Sequence, residues 1–317
     1  MSAVEAARYT RPMKWLLLAT AWLACASPAP GPQATPPIAT SVAVPAPIAP
    51  VPVVEVAPPL VDTARFEPTS FGVEVVGSGR PIIFIPGLGC PGAVWKATTE
   101  HLTHGELHTI TAAGFAGRPP IDQPVMAAMR VELAEYIRER KLERPIIVGH
   151  SMGGFLALWL AEAEPELVGP VVVVDSAPTL GGGDPEWEPI ARKQRDAYEA
   201  MSGVAFATRI RERFSPMFTD PKKHEAIITA VASSDPRAYS KAYYELNTID
   251  LRPDVPKIQV PVLAILADTP SQKRIRALLA PIRNHRVVVV PRTRHFIMQD
   301  DPEAFYRVLE DFIAAHP

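Results

Sequence analysis

The segment Gly149-His150-Ser151-Met152-Gly153-Gly154 carries the densest chemical content in the chain: a G-x-S-x-G pattern immediately after the apolar run Ile146-Ile147-Val148 and before a helix-forming stretch. A serine on a sharp strand-to-helix turn is held in a strained backbone conformation. Small residues at Gly149 and Gly153 let strand and helix approach, and the hydroxyl is presented to a pocket. Such a serine is a candidate nucleophile for acyl transfer, and it needs a base, an orienting carboxylate and donors for an oxyanion.

Among the eight histidines, His295 is the candidate base. It lies between the last apolar run, Val287 to Val290, and an amphipathic C-terminal stretch, where a loop can bring imidazole over the nucleophile. His150 adjoins the serine and is expected to support the turn, whereas His101, His104, His108, His224, His285 and His316 are expected on the surface or in loops. They show no H-x-x-x-H or H-E-x-x-H spacing, so no metal site is expected, and the chemistry of a serine nucleophile requires no cofactor. For the oxyanion, backbone amides suffice: that of Met152, just after the nucleophile, and that of Leu88 in the loop Pro86-Gly87-Leu88-Gly89 after the first apolar run. Cys90 is expected as a small packed residue.

Positioning these groups requires a particular frame. The runs Ile82 to Ile85, Ile146 to Val148, Val171 to Val174, Val262 to Leu266 and Val287 to Val290 are continuously apolar, the pattern of parallel strands buried on both faces. Between them, Phe155 to Leu160 make a helix apolar nearly all round. Val125, Met129, Leu133 and Tyr136/Ile137 mark a surface helix, and Asp301-Pro302 start a terminal amphipathic helix. The fold class is therefore α/β, a doubly wound, mostly parallel sheet. A helical cap is expected over about residues 180–250, with Trp187, Phe206, Phe214, Phe218, Tyr243 and Tyr244 as candidates to line the site, and Gly181-Gly182-Gly183 as a hinge or plain flexible loop.

The order of these segments, the elbow at Ser151 and the closing His295-Phe296-Ile297-Met298 with Asp301-Pro302 resemble the α/β-hydrolase superfamily over about residues 66–317. The resemblance implies a Ser-His-acid triad, an acyl-enzyme, and a carboxylic ester or related acyl bond as the target; it implies no substrate, and carbon-carbon hydrolase, lyase or perhydrolase chemistry, or a non-catalytic binding protein on the same fold, stand as alternatives. It is similar in particular to exported bacterial hydrolases of the superfamily. The acid departs from the usual superfamily pattern, in which a Gly-x-x-Asp turn follows the strand formed here by Val262 to Leu266. The chain instead reads Ala267-Asp268-Thr269-Pro270. Asp175, at the end of the run Val171 to Val174, matches the alternative acid position of some members and is favoured, with Asp268 as the alternative.

Composition sets the remaining bounds. A formal charge of −2 over 317 residues leaves no basic excess for phosphate neutralisation, so a small-molecule acyl substrate is expected as partner and nucleic acid is not. Residues 1–26 read as an export signal, with Arg8, Arg11 and Lys14 before an apolar stretch of about ten residues, too short to span a bilayer. Leu23-Ala24-Cys25 resembles a lipobox that would lipidate Cys25 and anchor the protein to a membrane; Ala24-Cys25-Ala26 read as an A-x-A site would release it by secretion. Residues 27–65 form a linker, with about one residue in three proline up to Pro59, expected to be extended and semi-rigid.

Overall fold

The computed structural model describes residues 66–317. The signal, Cys25 and the proline-rich linker lie outside the described residues. Each continuously apolar run becomes a strand of one seven-stranded sheet, joined by two strands the runs do not announce. The strands are β1 (Phe71–Ser78), β2 (Pro81–Ile85), β3 (Gly105–Ala112), β4 (Ile146–His150), β5 (Val171–Val174), β6 (Val262–Ala267) and β7 (His285–Val290), in the spatial order β1-β3-β2-β4-β5-β6-β7. All neighbouring pairs are parallel except β1 with β3, which is antiparallel.

Among the parallel strands this order reverses direction once. From β2 the chain steps outward to β3, then crosses back to β4 on the other side of β2 and continues through β5, β6 and β7. The crevice at the carboxyl ends of β2 and β4 is thus a topological switch point, the place where an open parallel sheet leaves room for a ligand. The register sets Gly149 opposite both Ile85 and Val173, so the loops that follow β2, β4 and β5 emerge side by side.

The helices are α1 (Lys96–His101), α2 (Val125–Glu139), α3 (Met152–Ala163), α4 (Glu188–Glu199), α5 (Gly203–Phe214), α6 (Glu225–Ala232), α7 (Pro236–Thr248), α8 (Gln272–Leu279), α9 (Ile297–Asp300) and α10 (Pro302–Ala314). Helix α3 is buried along nearly its whole length, as its apolar sequence demands. Helix α10 starts where Asp301 accepts a hydrogen bond from the amide of Ala304 and Pro302 occupies the first turn.

Helices α4 to α7 fill the segment expected as a cap. Asp235 caps α7 by accepting from the amides of Arg237 and Ala238, each at 2.9 Å. Farther along α7, the carboxylate of Glu245 accepts from the amides of Met126 and Ala127 at 3.0 and 2.9 Å. Those amides open α2, whose N-cap, Pro124, offers no side-chain acceptor. An acid on α7 thereby satisfies orphan donors of α2 and ties the inserted helices to the sheet layer. Burial pushes the Glu245 carboxyl above its ordinary range despite these donors.

The glycines expected as a hinge or flexible loop serve close packing. A Cβ on Gly182 would strike the carbonyl oxygen of Ile249, where the chain leaves α7. The same connection is held by Leu251, whose amide donates to Pro178 at 3.0 Å, and by Arg252, which donates to the Gly182 carbonyl at 2.9 Å.

Two expectations change. β7 is partly exposed rather than buried on both faces, because it is the sheet edge and among the described residues no strand pairs with its outer side. His108, expected on the surface or in a loop, lies in β3 and is 1% exposed, with Nδ1 2.8 Å from the Tyr136 hydroxyl.

Candidate active site

Ser151 stands between β4 and α3 with φ 53° and ψ −117°, a backbone conformation that costs on the order of 1–3 kcal/mol for a non-glycine residue. Its surroundings hold it there. The Ser151 amide donates to the Val174 carbonyl at 2.9 Å, and its own carbonyl accepts from Phe155 in the first turn of α3. The flanking glycines leave no room for a side chain: a Cβ on Gly149 would meet the Gly153 carbonyl, one on Gly153 the Ile85 carbonyl, and one on Gly154 the Cβ of Ser176 at 2.7 Å. The turn is therefore wedged between β2, β4 and β5.

Asp175 leaves β5 with φ 45°, its amide bonded to the Ile265 carbonyl at 2.8 Å. One carboxylate oxygen, Oδ1, accepts from the amide of Ala267 at 3.2 Å, and the other, Oδ2, lies 2.7 Å from His295 Nδ1. An ionised carboxylate only accepts, so Nδ1 is the protonated nitrogen and Nε2 of the neutral ring is left with a lone pair. The Asp175 side chain is 8% exposed and that of His295 27%, so the pair is open on the imidazole side. Asp268 is exposed and makes no ion pair with His295.

His150 reaches the same group from below. Its Nε2 lies 2.9 Å from the His295 carbonyl, and its ring packs 4.6 Å from those of both His295 and Phe296. Burial, and then the neighbouring imidazole of His295, push its pKa well below the ordinary histidine value, so it stays neutral and acts as a prop for the His295 loop.

The loop after β2 closes the other side. A Cβ on Gly87 would come within 3.0 Å of His150 Nδ1 and 3.3 Å of the Ser151 Cβ, so this backbone lies tightly against the elbow and a side chain there would have to push it back. Neither the Leu88 nor the Met152 amide donates to a carbonyl in the described turns and caps, which leaves both free for an incoming oxygen. Cys90, at the end of the loop, is fully buried, and burial pushes its thiol up to about 12, so it remains a packed thiol.

These groups border one cavity of about 240 Å³. Gly87, Leu88, Ser151 and His295 lie on its sheet side; Arg213, Phe214, Met217, Tyr239, Tyr243 and Asn247 come from the inserted segment. Of the aromatic residues expected to line the site, Phe214 and Tyr243 do. Phe206 and Phe218 are instead buried core residues, Trp187 packs on Gly181, and the Tyr244 hydroxyl bonds Glu188. Arg213, Tyr239 and Asn247 are additional lining residues. Arg213 had a legible signal, since it falls on the stripe Phe206-Ile210-Phe214 of α5, where a cation is out of place unless something polar meets it. Among the described residues, no cluster of three or more His, Cys, Asp or Glu side chains could hold a metal ion.

Known proteins place this geometry in a family. The chain is 27% identical over 244 residues to a pimeloyl-[acyl-carrier protein] methyl ester esterase of Yersinia enterocolitica, covering 73% of this chain and 92% of that protein. Among solved structures, an enol-lactonase from Burkholderia xenovorans LB400 superposes with a TM-score of 0.65 at 20% identity, over 77% of this chain and 96% of its own. A thermophilic esterase from Thermogutta terrifontis superposes with a TM-score of 0.69 at 20% identity, over 78% and 94%. Residues 82–308 match the model of the alpha/beta hydrolase family, so the chain belongs to that family.

Proposed function

We propose that the protein is a carboxylic ester hydrolase that works through Ser151, His295 and Asp175. The observation that carries this reading is the 2.7 Å contact of His295 Nδ1 with a carboxylate that is itself fixed by the Ala267 amide, beside a serine on a strained elbow. The esterase name of the Yersinia relative supports the choice of an ester over other acyl bonds.

In the proposed reaction, Ser151 Oγ attacks the ester carbonyl while His295 Nε2 takes its proton. The carbonyl π pair moves onto oxygen, where the amides of Leu88 and Met152 receive it. Asp175 stabilises the imidazolium that forms and keeps the ring in the tautomer that can accept. His295 then returns the proton to the departing alcohol as the ester C–O bond breaks, leaving an acyl-Ser151. Water repeats the sequence: His295 removes its proton, the acyl carbon accepts its oxygen, and the acid departs as Ser151 recovers its proton.

A fluorophosphonate probe checks the nucleophile. The wild type should label in a one-to-one ratio, with the adduct mapped to Ser151 by mass spectrometry, and Ser151→Ala should not label. An unlabelled wild type, or an adduct elsewhere, would refute the assignment.

The basic and apolar pattern of residues 1–26 supports export, with the enzyme either anchored to a membrane through a lipidated Cys25 or released by cleavage at Ala24-Cys25-Ala26. Metabolic labelling with an alkynyl fatty acid in a bacterial host should tag the wild type and not Cys25→Ala. Tagging that survives the substitution removes the anchor.

A further inference from the structure

The cavity beside Ser151 contains a cation that the reaction above does not use. Arg213, in the last turn of α5, is the one arginine or lysine among the cavity's lining residues, and it is partly buried. Its polar neighbours are the phenols of Tyr239, Tyr198 and Tyr243, and its guanidinium lies over the Tyr243 ring, 5.3 Å from the centroid. No carboxylate of the described residues forms an ion pair with it. The end of a helix favours a cation, but that accounts for a charge at the surface; the guanidinium hydrogen-bonds the phenols of Tyr198 and Tyr243, yet it borders an otherwise apolar cavity with no anion against it.

A second, independent feature lies alongside. Tyr239 lines the same cavity, is fully buried, and its hydroxyl has no hydrogen-bond partner among the described residues. Leaving such a group unpaired costs about 1–3 kcal/mol, which a bound acceptor would recover. Burial pushes its phenol upward, so it stays a neutral donor. Most of the remaining lining, including Leu180, Phe214, Met217 and Leu246, is apolar.

We propose that this enzyme selects esters that carry a second, ionised carboxylate, which seats on Arg213 and the Tyr239 hydroxyl while the ester carbonyl meets Ser151. The inference rests on the ester-hydrolase reading for its chemistry, but not for its binding site. One cation in an apolar cavity matches one negative charge, which favours a carboxylate over a phosphate dianion. The guanidinium fork suits carboxylate geometry and the phenol adds a third donor. The preferred substrates are then mono-esters of short diacids, and the product is a diacid.

The test compares the mono-p-nitrophenyl ester of glutarate with the p-nitrophenyl ester of the same length ending in methyl. The wild type should favour the charged ester by about 10- to 100-fold in kcat/KM, the range expected of a charge-assisted hydrogen bond. In Arg213→Gln the ratio should fall to about one through a higher KM for the charged ester. Arg213→Lys should keep an intermediate ratio, and Arg286→Gln, an exposed position on β7, should keep the wild-type ratio. Equal rates for the two esters in the wild type, or an unchanged ratio in Arg213→Gln, would overturn the proposal. Binding of glutarate itself, measured by calorimetry on wild type and Arg213→Gln, separates the two readings. If no ester is cleaved but glutarate binds and the arginine is required, the hydrolase reading fails and the subsite stands. If esters are cleaved and glutarate binds neither protein, the subsite fails alone.

Discussion

Asp175→Asn should lower kcat by about 10⁴-fold, with KM little changed, while Asp268→Asn should leave both within about threefold. The asymmetry follows from hydrogen-bond direction. Asp175 Oδ2 accepts from His295 Nδ1 at 2.7 Å, which places the neutral ring's lone pair on Nε2. An Asn keeps one oxygen, and the Ala267 amide already donates at this position at 3.2 Å. With that oxygen kept on Ala267, the Asn NH₂ faces the imidazole and makes Nδ1 the acceptor. The proton moves to Nε2, and the ring can no longer take one from Ser151. Asp268 lies one residue beyond β6 and is exposed, so its charge is screened by solvent. Steady-state kinetics with a p-nitrophenyl ester read the effect, and thermal melting shows whether the fold persists. A loss of the same size in Asp268→Asn, with Asp175→Asn near wild type, would transfer the orienting role to Asp268.

That assignment shows how far the sequence could be read and where it stopped. The parallel strands β2, β4, β5 and β6 are legible because strands covered on both faces must be apolar without interruption, and Val171 to Val174 is the extreme case; β7 carries the same signal over Val287 to Val290 although it is a partly exposed edge strand. β1 and β3 escape the same reasoning for opposite reasons. β1 is an edge strand exposed over most of its length, with Val75 and Val76 about half exposed, so no burial pattern enforces an apolar run. β3 is buried but carries His108, Thr109 and Thr111, whose polar groups find neighbours locally: His108 Nδ1 at the Tyr136 hydroxyl and Nε2 3.0 Å from a Glu106 carboxylate oxygen, Thr109 by donating to the Glu74 carbonyl at 3.5 Å, and Thr111 by accepting from the Gly92 amide at 2.7 Å. Paired polar atoms can occupy a core that periodicity alone reserves for hydrocarbon.

The same distinction separates the parts of the site. Ser151, His295 and Asp175 are each fixed by local chain geometry at a strand end, which a linear pattern can report. The cavity wall is set by how α5 and α7 settle over the sheet. Phe206 and Phe214 share one stripe of α5, yet one is buried in the core and the other faces the cavity. Arg213 and Asn247 show that polar residues on otherwise apolar helix stripes were the better guide to the wall than the aromatics. Each adjoins a cavity-lining neighbour, Phe214 and Leu246 respectively.

Gly153→Ala should cost about 3 kcal/mol of stability, a fall of roughly 6–12 °C in Tm for a domain of this size, and lower kcat by at least 100-fold. The backbone of Gly153 is not in the left-handed region, so alanine is conformationally acceptable there, and the penalty is purely steric. The added methyl would meet the Ile85 carbonyl and crowd that of Pro86, and backbone in the middle of a sheet cannot turn aside as a side chain can. Relief requires α3 to withdraw from β2, which carries Ser151 away from the loop holding Leu88. Stability and rate should therefore fall together, because one contact sets both the packing of α3 and the distance from Ser151 to the Leu88 amide. Gly203→Ala supplies the contrast: nothing lies within 4 Å of a Cβ at that position, at the start of α5, so kcat should stay at the wild-type value and Tm should not fall. If Gly153→Ala melted and turned over like the wild type, strand and helix would have to stand farther apart than the geometry here allows, and the strained elbow would lose the wedge that maintains it.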